Sequence, residues 1–110
     1  MATAHFFYLN NSRITTSIDV DFSTKSVFIK NYSTFPLELA FGINLNPSFE
    51  DFMFFIQSRC FPKNVDRLRL HLKELGLETY NPFLILKKTH GRLSHDHMSL
   101  ESLEDFNYEN

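Results

Sequence analysis

The chain has 110 residues, a formal net charge of -2, 43% hydrophobic and 22% charged residues, and a single cysteine. One domain of that length buries about two thirds of its unfolded surface in a single core. The balance excludes a disordered chain, the slight negative charge argues against a polyanion-binding footprint, and one cysteine excludes an internal disulfide.

No signal-peptide pattern and no apolar run of about 18 residues occurs, so neither a membrane span nor export is expected and the cytoplasm is the expected location. Thirteen Phe without any Trp is a skewed apolar set. Two readings stay open: rings placed at a partner-binding surface, or a genome that uses Phe where another would use Leu or Trp.

The chain divides into an α+β domain over residues 1–100 and an acidic, mobile tail over 101–110 that carries Glu101, Glu104, Asp105 and Glu109 without a base. After a loose start through Ala4, His5 to Leu9 reads as a strand, and Asn10-Asn11-Ser12 as a turn. From Arg13 to Phe22 the alternation is nearly strict, with Ile14, Thr16, Ile18, Val20 and Phe22 on one side and polar residues on the other. That is a strand with one wet face. A polar loop at residues 23–26 leads into Val27 to Lys30 as the second arm of a hairpin. Phe35 to Phe41 alternates again, but Pro36 lacks an amide donor, so an edge strand or irregular extended piece is expected.

Ser48 and Asp51 stand in capping-box spacing and open the first helix, whose apolar face is Phe49, Phe52, Met53, Ile56 and Cys60. Phe54 and Phe55 fall roughly 140° and 120° to either side of that face at ~100° per residue, so one core cannot cover both well. Cys60 on the apolar face reads as a small core residue. Pro62 ends the helix, and Asn64 can cap a second one whose stripe is Val65, Leu68, Leu72 and Leu75. Gly76 and Leu77 fit a Schellman ending. Asn81-Pro82 starts a third helix, apolar almost all round at Phe83 to Leu86 and closed by Gly91. A short extended return is expected from Leu93 to Leu100. The fold class is therefore α+β: a small, mostly antiparallel N-terminal sheet, about three short helices and a short C-terminal extended segment.

Chemistry-bearing clusters are sparse. His90, His95, Asp96 and His97 are the densest set of possible metal ligands, but a closed zinc site wants four ligands, often with cysteine, and His5 and His71 are distant. A solvated polar loop is the favoured reading, and no metal or cofactor is expected. Ser94, His95 and Asp96 are triad residue types, but triad members converge from separate elements, so no catalytic residue is assigned. The second and third helices carry Arg67, Arg69, Lys73, Lys87 and Lys88, yet the connection over 76–81 is long for a helix-turn-helix and the later helix too apolar to read bases. A nucleic-acid-binding regulator remains an alternative below protein binding.

Arg59-Cys60-Phe61-Pro62-Lys63-Asn64, Leu72-Lys73-Glu74-Leu75-Gly76-Leu77, Leu84 to Gly91 and Leu93-Ser94-His95-Asp96, in that order, carry a resemblance. The pattern is similar to the amino-terminal region of HipA-like kinases of Gram-positive bacteria, and Phe35-Pro36-Leu37 resembles the proline-containing piece that ends that region's sheet. Met98-Ser99-Leu100 departs from it, since aromatic residues stand there in the family, and the kinase domain is not among these residues. The resemblance implies a standalone, antitoxin-like module that binds and restrains a HipA-like serine/threonine kinase, with the phosphotransfer residues on the partner. A small phage or mobile-element inhibitor of another host protein is the competing reading. The expected partner-binding residues are Phe54, Phe55, Arg59, Arg67 and Arg69, because aromatic and arginine anchors carry much interface energy. For Arg59 the alternative is that it caps the negative end of its own helix.

Overall fold

A computed structural model of the chain describes residues 3–93 and 96–102. Strand β1 (Thr3–Asn10) and strand β2 (Arg13–Asp21) are joined by Asn11 and Ser12, whose φ angles of 49° and 76° supply the left-handed twist a two-residue hairpin needs. Thr3 and Ala4, expected to be loose, already belong to β1. Strand β3 (Ser26–Asn31) returns along β2 after a turn in which the Asp21 carboxylate accepts from the Ser23 amide at 2.8 Å. The fourth strand, β4 (Met98–Ser102), comes from the far end of the sequence and pairs antiparallel with β1, giving the order β3-β2-β1-β4. It takes in Glu101 and Ser102, which charge alone assigns to the tail; the rest of that tail, 103–110, lies outside the described residues.

The alternation in β2 is broken once. Pairing steps from Tyr8 opposite Thr16 to Leu9 opposite Ile14, so Thr15 is the extra residue of a β-bulge. Since cross-strand partners share a face, Ile14 moves to the side of Leu9, away from Thr16, Ile18 and Val20. Thr15, expected to be wet, is fully buried, and its hydroxyl donates to the Tyr8 carbonyl at 3.1 Å.

The segment from Phe35 to Phe41 is not a strand. Pro36 opens a 3-10 turn over Pro36–Glu38, closed by the Leu39 amide on the Pro36 carbonyl at 3.1 Å. Proline fixes its own φ at a value this turn accepts. Glu38 then anchors the turn to the hairpin by accepting from Ser33, Arg13 and Asn10 at 2.6, 2.8 and 3.0 Å. Ser33 and then Arg13 do most to hold its carboxyl below the usual range, so their contribution to stability is present above the ordinary carboxylate pKa and lost as pH falls.

Helix α1 (Phe49–Ser58) has both halves of the capping box: Ser48 Oγ accepts from the Asp51 amide, and the Asp51 carboxylate accepts from the Ser48 amide. Helix α2 (Leu68–Glu74) is shorter than the periodicity predicts. Val65 closes a turn on the Pro62 carbonyl, Arg67 adopts a left-handed conformation at the helix start, and Asn64 is not the cap. Its end is as expected: Leu77 donates to Leu72 and Gly76 to Lys73, the two bonds of a Schellman motif. Helix α3 (Pro82–Thr89) begins with Asn81 Oδ1 accepting from the Phe83 amide at 3.0 Å.

The sheet face bearing Phe6, Tyr8, Ile18, Val20 and Leu100 packs against Phe52, Phe55 and Ile56 of α1 and Phe83, Ile85 and Leu86 of α3. Much of the aromatic excess goes into this layer as a connected set of rings. Phe6 and Phe52 lie 5.8 Å apart, and Phe22 meets Phe49, Phe52 and Phe83 edge-on. No helix among the described residues is long and apolar enough to cross a membrane.

Gly91, two residues past the end of α3, lies against the last strand. A Cβ built there would stand 2.8 Å from Leu100 Cβ and 3.2 Å from its amide nitrogen, at a φ of +63°, whereas one at Gly76 (φ +74°) would meet nothing within 4 Å. Gly76→Ala is therefore expected to cost about 1 kcal/mol from backbone strain alone, and Gly91→Ala at least about 2 kcal/mol because β4 must also shift. Urea denaturation of the two variants side by side checks the order.

Candidate functional site

The five residues expected to form one partner surface separate in the structure. Phe54 is 76% exposed on the outer side of α1. It stands between two shallow grooves, one lined by Ala40, Phe41, Asn44 and Asp51, the other by Gln57, Pro62, Lys63 and Tyr80. Phe55 goes the other way and is 7% exposed, with its ring 5.2 Å from both Tyr8 and Phe41. The connection from β3 to α1 folds over that flank of the helix and covers a position the core axis alone leaves open. Phe55 is thus a core ring that reaches the outside only at the floor of the groove it lines with Phe41 and Phe54.

Arg59 also leaves the outer surface. Its side chain is 5% exposed and does not face outward; Arg59 is the C-cap residue of α1, where its amide donates to the Ile56 carbonyl at 3.2 Å, and its guanidinium turns to the returning segment. Nε donates to the Gly91 carbonyl at 2.9 Å, the two terminal nitrogens hold the Asp96 carboxylate at 2.9 and 3.2 Å, and one of them reaches the Met98 carbonyl at 3.1 Å. The guanidinium also lies over the Tyr8 ring, 5.5 Å from its centroid. A buried cation survives only when paired and hydrogen-bonded, and here one fork meets both conditions. Burial pushes the Tyr8 hydroxyl above its ordinary pKa, the Arg59 charge works against that shift, and Asp96 adds to it.

Arg67 and Arg69 are exposed as expected, the first at the left-handed start of α2 and the second within it. The cation that shares a groove with Phe54 is Lys63. Of the exposed apolar residues that the sequence pattern does not single out, Phe28 lies on β3, Leu70 on α2, and Tyr32, Phe35, Leu37 (98% exposed), Ile43 (85%) and Leu45 in the connection from β3 to α1. In that connection the signal is composition. Apolar residues interleaved with Pro36, Gly42, Asn44 and Asn46 cannot share one face of a strand, and an irregular segment has no second layer to bury them.

Of the histidine cluster, His90 caps α3 in a left-handed conformation and has Nδ1 3.0 Å from Glu101 Oε2, His97 is exposed, and His95 lies outside the described residues. Asp96 is held by Arg59. No group of three or more His, Cys, Asp or Glu side chains placed to hold a metal occurs among the described residues. Cys60 is buried, its thiol 3.5 Å from the carbonyls of Ile56 and Pro82, and burial pushes its pKa up to about 12 against a smaller opposing effect of Arg59. The thiol is protonated at neutral pH, the form that is not nucleophilic.

No family model matches the chain, and neither a curated protein nor a solved structure does. The outer surface presents a ring between two grooves, an exposed apolar connection, and cations along α2.

Arg59→Met is expected to destabilise by about 3 to 5 kcal/mol, because it removes the cation paired with the Asp96 carboxylate and the donors to two carbonyls, while Asp96→Asn in the same background adds little. Urea titrations of the two single variants and the double variant measure the coupling. For Cys60, iodoacetamide at pH 8 is expected to leave the native thiol unmodified and to alkylate it in urea. Because the folded pKa is raised, the contribution of this thiol to stability is complete below the unfolded value of 9.0 and declines as pH rises toward about 12.

Proposed function

We propose that the chain is a cytoplasmic protein-binding module without chemistry of its own, an antitoxin-like partner that restrains a HipA-like serine/threonine kinase. The observation that carries the binding half of this reading is the set of large apolar side chains left outside a well-filled core. Leu37, Ile43 and Leu45 on one connection and Phe54 on α1 expose more than half of their surface. The packing that buries Phe52, Phe55 and Phe83 turns Phe54 to the outside, and an exposed ring among exposed aliphatics marks a contact site. Phe41 and Asn44, which line a groove with Phe54, belong to the same connection as Ile43, so ring and connection form one neighbourhood.

The kinase half rests on the resemblance of residues 59–96 to the amino-terminal region of HipA-like kinases. The structure bears on how that stretch is used. Arg59, Gly91 and Asp96, three positions of the pattern, meet in one hydrogen-bonded knot that fixes β4. In this reading those three positions serve the fold, while Pro62 and Lys63 of the same pattern line a groove with Phe54 and are available to a partner. Any catalytic residues belong to the bound kinase.

Co-expression with a HipA-like kinase that lacks its own amino-terminal subdomain tests the reading. The expected result is co-purification and loss of phosphotransfer by the kinase. Phe54→Ser is expected to weaken retention by at least about tenfold, as for an aromatic anchor, while leaving the melting midpoint close to that of the unaltered chain. A midpoint that collapses as it does on loss of a core ring, or a complex indifferent to this change, removes Phe54 from the contact surface. A kinase that neither binds nor slows removes the antitoxin assignment.

A further inference from the structure

The two edges of the sheet are treated differently. At β4 the outward groups are already used: the Leu100 amide donates to the His90 carbonyl at 2.7 Å, the Met98 carbonyl accepts from Arg59 at 3.1 Å, and the Met98 amide donates to Asp96 at 3.0 Å. At β3 the opposite holds. The Tyr32 amide donates to the Thr15 carbonyl at 2.8 Å, in line with Lys30 opposite Ser17 and Phe28 opposite Asp19. These residues therefore bond inward to β2, and the backbone groups of Val27, Ile29 and Asn31 point away from the sheet. Among the described residues, no hydrogen bond outside the ladder reaches the backbone of those three. A bare edge of this kind is a template for another strand.

We infer that β3 pairs with β3 of a second copy of this chain, antiparallel about a two-fold axis at Ile29, which joins the two sheets into one of twice the width. The occupant follows from the register. With Ile29 opposite itself, Val27 faces Asn31 of the second copy, the outward groups of all three residues are satisfied by roughly six backbone hydrogen bonds, and Phe28 comes opposite Lys30 of the second copy, twice by symmetry. Phe28 is 68% exposed, and the Lys30 ammonium already lies over the Tyr32 ring of its own chain, 5.2 Å from the centroid. The pairing thus sets a cation against a second ring and lets no like charges meet. Shifting the axis toward the C-terminus to Lys30 puts Lys30 against Lys30, and shifting it toward the N-terminus to Phe28 leaves Asn31 without a partner, so one register is favoured. This association uses the β3 edge and does not depend on the kinase-binding surface at Phe54.

Sedimentation equilibrium of the full chain up to about 100 µM at low salt is expected to give twice the protomer mass. Phe28→Lys sets like charges opposite each other at two places and is expected to raise the dissociation constant by about tenfold or more, while Phe28→Glu, which sets a carboxylate opposite Lys30, preserves or tightens the dimer. Phe28 is exposed but stands opposite Asp19 on β2, so Phe28→Glu is expected to lower the midpoint of the monomer slightly and Phe28→Lys to raise it, and melting at low protein concentration measures this intrachain effect apart from the dimer. A chain that stays monomeric throughout overturns the inference. So does a dimer that Phe28→Lys and Phe28→Glu weaken alike, since association through apolar surface alone would respond in that way.

Discussion

The fork of Arg59 on Asp96 is the constraint from which the closed form of this sheet follows. Three strands form from the first 31 residues by local hairpins, but the fourth must be brought back across more than sixty residues and laid beside β1. A buried guanidinium at the end of α1 is costly unless its donors are filled, and the groups that fill them, the Gly91 and Met98 carbonyls and the Asp96 carboxylate, all belong to the returning segment. Desolvation of one cation thereby selects one path for the chain. Gly91 completes the arrangement: without a side chain it lets Leu100 approach α3, and the Leu100 amide closes on the His90 carbonyl.

Around that knot the aromatic residues form a layer and not a set of isolated fillers. Phe22, Phe49, Phe52 and Phe83 meet in tilted and edge-on contacts from the turn after β2, α1 and α3, and each such pair adds about 0.5 to 1.5 kcal/mol beyond its buried area. Edge-on packing of large rings is directional, so the layer fixes the rotation of α1 about its own axis. That rotation is what turns Phe55 toward Tyr8 and Phe41 and leaves Phe54 facing away. The exposure of one ring and the burial of its neighbour thus have a single cause.

The N-caps of α1 and α3, the Schellman ending and the first hairpin were legible because each is a local device with its own residue types: Ser48 with Asp51, Asn81 with Pro82, Gly76 with Leu77, and Asn11 with Ser12. What period-based reading missed depends on partners distant in sequence. The bulge at Thr15 shows only in pairing with β1. The late start of α2 comes from a left-handed Arg67, for which the sequence carries no turn signal. Arg59 looked like a surface anchor because its acceptors lie more than thirty residues away and two of them are backbone carbonyls, which no side-chain pattern announces. Of the expected contact surface, Phe54, Arg67 and Arg69 are outside and Phe55 and Arg59 are not. The bare connection at Leu37 and Ile43 was overlooked because Phe35 to Phe41 imitates a strand.

The division of the surface follows the same logic. Bonds from Arg59, Asp96 and His90 cover the β4 edge, because the knot that returns the chain also occupies that strand's outward groups. Nothing comparable grows from the connection after β3, since Pro36 turns it away and Glu38 ties it to the tip of the first hairpin instead. One edge is closed as a consequence of folding, and the other is left open by the same topology. An open edge carrying Phe28 beside Lys30 presents hydrogen-bonding groups, a ring and a charge in a fixed strand register, whereas the apolar connection and Phe54 offer shape and area without a ladder. The two surfaces thus differ in physics, the first offering register and the second shape.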